Sequence, residues 1–177
     1  MKVIREFPTK RFEDADKGAV ISAIFGRNIV VRGIKAHFTA NGGPGEDFLV
    51  SIGPFYAEHG NRPVVYRSKD LTEPFVVDVT GHCHLTPSVE ASDLVLESAE
   101  SEKAPGVLLL LDDGRVLMRV ANFGRAGPSQ VMYLNVATGE LAHLGGEERF
   151  LATKRWHVVA TNEQGETASD FEFVADI

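Results

Sequence analysis

The chain lacks most of what would identify a function at sight. It has a single cysteine among 177 residues, Cys83, so no internal disulfide can form. That usage points to a reducing compartment. No apolar stretch approaches the roughly 20 residues of a membrane-spanning helix. The opening segment, MKVIREFPTKRFEDADKG, has no apolar core of the signal-peptide kind. A cytoplasmic protein is the expectation, or a virion component made in the cytosol. Basic side chains are too few to balance the acidic ones: 18 Lys and Arg stand against 25 Asp and Glu, a net charge of −7. This works against affinity for nucleic acid or an anionic membrane, and neither is expected as a partner. No Gly-x-Ser-x-Gly elbow marks a nucleophile. The glycine-rich run at 41–47 ends in Glu46 and Asp47, which would repel a phosphate, where a phosphate-binding loop carries lysine and a hydroxyl residue. No repeat, low-complexity tract or linker divides the chain, so one domain over 1–177 is expected.

What is present is a succession of short apolar runs between turn signals. The longest, Val107 to Leu111, follows Pro105 and Gly106 and stops at Asp112-Asp113-Gly114. A short unbroken apolar run between such signals reads as a strand covered on both faces. Asp-Asp-Gly suits a hairpin, because glycine takes a positive φ cheaply. Arg115 to Val120 then alternates, with Val116, Met118 and Val120 on one face and Leu117 and Arg119 on a face expected to meet water. Val131 to Val136 is a third strand and Leu141 to Leu144 a fourth. A buried helix across 107–120 is the competing reading, and Gly114 after two aspartates opposes it.

Similar reasoning reads strands at Val3–Phe7, Val20–Phe25, Ile29–Phe38, Phe48–Ile52, Val64–Arg67, Phe75–Val79, Asp93–Glu97, Trp156–Thr161 and Phe171–Ala175. In the third of these Ile34, Ala36 and Phe38 share one face, and Lys35 and His37 the other. Phe48, Val50 and Ile52 should be the buried half of a half-buried strand. Phe75, Val77 and Val79 should face inward with Asp78 outward. Glu147 to Lys154 reads as one or two helical turns. More than ten short strands at turn spacing imply an all-β fold: an antiparallel β-sandwich or a jelly-roll-like barrel with at most one or two short helices.

Two groups of residues carry candidate chemistry. Phe55, Tyr56 and His59 lie in the loop Gly53–Arg62, where aromatic rings can stack on a sugar. His82 and His84 flank Cys83. On a strand, residues i and i+2 share a face, so both imidazoles could reach one divalent transition metal, with Glu90 as a third ligand. His37, His59, His143 or His157 would supply a distant fourth. This set partly resembles the cupin family, whose small barrels carry a His-x-His pair, a following glutamate and a later histidine. The resemblance implies a metal-binding protein or metal-dependent enzyme. The chain departs from that pattern: Val76 stands where a cupin has glycine, a cupin spaces the glutamate three or four residues on whereas five separate His84 from Glu90, and Gly81 suggests a turn. Asp14-Ala-Asp16-Lys-Gly18 resembles the start of a calcium loop, but its glycine comes one place early and Phe25 holds the twelfth position.

The leading expectation is a non-enzymatic β-sandwich that binds carbohydrate or protein, or assembles. Val31 to Thr72 is similar in pattern to jelly-roll modules of phage appendages and carbohydrate-binding proteins. Such modules cover their sheet edges by forming homo-oligomers. The alternative is the metal-dependent protein centred on His82 and His84.

Overall fold

The computed structural model describes residues 8–25, 29–39, 43–53, 62–98, 104–120, 132–144, 149–161 and 166–175. These form fifteen strands and one 3₁₀ turn, Ser68–Asp70, and the fold is all-β. A six-stranded sheet takes β1 (Thr9–Arg11), β2 (Val20–Phe25), β3 (Ile29–Phe38), β4 (Glu46–Gly53), β5 (Val65–Arg67) and β6 (Phe75–Asp78), in the spatial order β1-β6-β2-β3-β4-β5. A three-stranded sheet joins β7 (Cys83–Pro87), β14 (Arg155–Thr161) and β15 (Thr167–Val174), with β14 in the middle. The second six-stranded sheet holds β8 (Leu94–Ser98), β9 (Leu108–Leu110), β10 (Val116–Val120), β11 (Met132–Asn135), β12 (Leu141–Ala142) and β13 (Arg149–Thr153). Its order is β12-β11-β10-β9-β13-β8. Pairing within the sheets is antiparallel, as short connections demand.

The central meander forms as its sequence dictates. Leu110 pairs with Val116 across the Asp112-Asp113-Gly114 turn, and Gly114 takes φ +84°. Leu108 and Leu109 are both buried, so β9 is covered on each face. The principal core gathers Ile34, Ala36, Phe48, Val50 and Ile52 from the first sheet, Leu108, Met118 and Leu134 from the second, and Trp156, Val158 and Phe173 from the third. Trp156 is fully buried. It stacks on Phe173 at 4.8 Å and donates its indole N–H to the Gly106 carbonyl at 2.7 Å. That bond ties the third sheet to the start of the meander and leaves no unpaired polar group on the ring.

Alternation alone misassigns a face in three strands. In β4 the opposite side is also buried, with Leu49 and Ser51 shielded by a second, smaller core of Phe12, Ala15, Ile21, Ala23, Phe25, Val31 and Val76. The strand is therefore covered twice, not half-buried. In β6 the facing is reversed: Val76 is 1% exposed and Phe75 55%, because Val76 fills that second core. Leu117 is buried and Arg119 half-buried, so their face of β10 does not simply meet water. Residues 149–153, expected as helix, form β13 instead, paired on both sides with β8 and β9. Two open strand edges outweighed the local helical tendency. Val3–Phe7 and the 26–28 turn lie outside the described residues.

The turn after β11 clasps the two large sheets together. The backbone N–H of His37 donates to the Gly139 carbonyl at 2.8 Å, and that of Gly18 to the Lys35 carbonyl at 2.9 Å. Gly139 has φ +71°, and a Cβ there would fall 2.3 Å from the Gly18 nitrogen and from the Lys35 oxygen. Gly139→Ala should lower stability by at least about 2 kcal/mol, combining left-handed strain with a backbone clash. Gly114→Ala, with φ +84° but open space around it, should lose only the strain part, about 1 kcal/mol. Urea unfolding of the two variants checks the difference.

Candidate functional site

Alternation along β3 puts Gly33, Lys35 and His37 on the face away from the principal core. Register sets Lys35 opposite Leu49 and His37 opposite Asp47 on β4. The turn after β1 folds over this face. Asp14 N–H bonds the Arg11 carbonyl, Ala15 N–H that of Phe12, and Ala19 N–H that of Asp16. Phe12 and Ala15 are thereby buried, while Asp14 and Asp16 stay in water. The segment that resembled a calcium loop is thus the lid over a lysine.

Lys35 is 2% exposed. Its ammonium donates to the Glu13 carbonyl at 2.9 Å and the Ala15 carbonyl at 2.8 Å, and pairs with Asp47 Oδ2 at 3.1 Å. All three N–H groups are used. The Phe12 ring lies 5.2 Å from the nitrogen and adds a cation–π contact. Asp47 turns its other oxygen, Oδ1, to His37 Nδ1 at 2.6 Å, and His37 Nε2 meets the Thr39 hydroxyl at 3.1 Å. Both ring nitrogens of His37 are thus engaged, one by a carboxylate and one by a hydroxyl. The space for this ring comes from Gly45, where a Cβ would stand 2.3 Å from His37 Cε1 and Nε2. Burial pushes the Asp47 carboxyl up, but the bonds from His37 and Lys35 outweigh it and hold it below the ordinary 3.8.

These residues wall an open groove of about 560 Å³ on the outer face of the first sheet. Phe12, Leu71 and Pro74 provide apolar surface. Arg11, Glu13, Glu46 and Lys69 bring charges of both signs, and His37 and Asp47 form one side. Arg11 is tied to Glu13 at 2.8 Å.

The expected site residues fall elsewhere. Phe55, Tyr56 and His59 lie outside the described residues; their loop leaves β4 at Gly53, six residues and about 20 Å along the strand from Asp47. His82 sits in the turn before β7, half-buried, and its main chain bonds Val79 and Thr161. Cys83 points into the principal core, His84 points out to water, and Glu90 is exposed beyond the strand. Among the described residues no three of His, Cys, Asp or Glu converge to hold a metal ion. Asp78, half-buried on β6, binds Lys10 at 2.8 Å and accepts from the Thr80 hydroxyl at 2.7 Å. No protein-family model matches the chain, and no curated protein or solved structure matches it.

Removing one partner from a buried charge pair leaves the rest uncompensated. Lys35→Met should therefore destabilise the fold by about 3 kcal/mol, read from urea unfolding at neutral pH. Asp47 also sets a pH dependence. A carboxyl held lower in the folded chain than in the unfolded one contributes stability that is complete above the unfolded value of 3.8 and is lost as pH falls below it. Unfolding measured from pH 6 down to about pH 2 should show Asp47→Asn with a shallower acid decline than the parent chain.

Proposed function

We propose that the chain is a non-enzymatic β-sandwich binding module, and that the groove beside Lys35, His37 and Asp47 receives a carbohydrate. The observation that carries this reading is the composition of the groove wall. Apolar Phe12, Leu71 and Pro74 alternate with hydrogen-bonding groups of both signs, Arg11, Glu13, Glu46 and Lys69. A sugar offers the complement: apolar C–H faces and hydroxyls that both donate and accept. The cations and anions that line the groove are near balance, which suits a neutral polyhydroxylated ligand better than a highly charged one. Binding rather than turnover is supported by how the titratable groups are used. Both oxygens of Asp47 and both ring nitrogens of His37 are engaged within the protein. They shape the wall instead of standing ready to move a proton.

Screening against immobilised neutral glycans, followed by calorimetry on the hits, tests the proposal. Glu46→Ala and Lys69→Ala should each weaken binding by about tenfold, since each removes a charged hydrogen-bonding group from the ligand. Both side chains are exposed, so the fold should be unaffected. Absence of binding to every glycan at millimolar concentration, or affinity indifferent to both substitutions, would overturn it.

A further inference from the structure

The six outer strands of the three sheets are not protected alike. A strand edge presents unpaired N–H and C=O groups, and proteins shield it by shortness, charge, proline or irregular register. β1 is three residues long and carries Lys10 and Arg11; β5 is also three residues, and β12 two. β7 ends in Pro87. β15 carries Glu172 and pairs with β14 through a register shift. β8 has the least of these devices: one charge, Glu97, next to its last residue, and neither proline nor a register shift. It lies at the end of the second large sheet, five residues long, reading Leu-Val-Leu-Glu-Ser. It is exposed on both faces, with Val95 at 42% and Leu96 at 67%. Its register neighbour on β13, Leu151, is 43% exposed, so Leu96 and Leu151 form an apolar row leading to the edge.

We infer that β8 pairs with β8 of a second copy of this chain, antiparallel about a two-fold axis through Leu96, joining two six-stranded sheets into one. A strand edge takes a strand, because only an extended backbone matches its donors and acceptors. A two-fold makes each edge the complement of the other. Register then fixes the details. With Leu96 opposite its own copy, Leu94 falls opposite Ser98 and Val95 opposite Glu97. The one charged residue of the strand then stands opposite valine in register, not opposite its own copy. Moving the axis to Glu97 would set two glutamates against each other, which is unfavourable. In the chosen register the row runs Leu151, Leu96, Leu96, Leu151 across the axis, so pairing also removes apolar surface from water. This interface lies on a different sheet from the groove and stands whether or not the groove binds sugar.

The test is sedimentation velocity over a concentration series at about 0.15 M salt, which screens the net negative charge. The parent chain should sediment as a dimer, and Leu96→Lys as a monomer with an unchanged circular dichroism spectrum. A second arm locates the axis. Directly opposed residues bring their Cβ atoms within about 5.5 Å, near disulfide reach. Leu96→Cys should therefore form a disulfide-linked dimer on mild oxidation, whereas Phe75→Cys, exposed on β6 of the other large sheet, should not. A parent chain monomeric throughout overturns the inference. So does a dimer that persists in Leu96→Lys, or equal cross-linking of the two cysteine variants.

Discussion

One ammonium group braces the outer face of the first sheet. Lys35 is buried in a strand, and burying a charge is costly unless every hydrogen-bonding group on it is satisfied. Here two main-chain carbonyls and one carboxylate satisfy it. The carbonyls belong to a turn that has no strand pairing of its own across 12–18, so the ammonium holds the middle of a turn whose ends are held by main-chain bonds, Phe12 N–H to the Pro74 carbonyl and Gly18 N–H to the Lys35 carbonyl. The carboxylate in turn orients His37. Remove the ammonium and three things lose a shared contact: the lid, the second core beneath it, and the side of the groove.

The first sheet is consequently an interior layer. Its inner face meets the principal core, and its outer face meets a satellite core closed by Phe12, Ala15 and Leu71. A strand with apolar residues on both sides of its pleat looks from sequence like a central parallel strand. In β3 and β4 the same pattern arises in an antiparallel sheet, because the chain before β2 doubles back over it. This is also why the groove is where it is: it lies between that overlay and the 3₁₀ turn after β5, where cover by the satellite core ends.

Much of this was legible in the residues. The Asp112-Asp113-Gly114 hairpin, the shared inner face of Ile34 and Ala36, and the all-β class follow from turn chemistry and alternation. The satellite core did not follow, since alternation reports which residues share a face and not what covers it. Val76 and Phe75 were exchanged for that reason. Lys35 was placed on the correct face, but a lysine on a strand reads as solvated, and its three acceptors lie some twenty residues before it and twelve after. A trace was present: Asp47 follows a glycine run whose last member, Gly45, is needed to admit the His37 ring. The paired histidines at 82 and 84 drew attention by spacing alone, and the turn at Gly81 separates their environments. For residues 149–153 the deciding factor was tertiary: two neighbouring strands offered pairing that no local window records.

The contact between Gly18 and Gly139 has a bearing on how the chain is made. His37 and its carbonyl partner at Gly139 are about a hundred residues apart, a separation of the kind that slows folding by delaying closure until distant segments meet. During synthesis the first sheet, the lysine and its lid emerge well before the turn that clasps β3. Until position 139 leaves the ribosome, the N–H of His37 has only solvent to bond, and the histidine side of the groove stands without its brace. The histidine wall of the groove would thus be among the last features of the fold to mature, though nearly all of its residues are among the first to be translated.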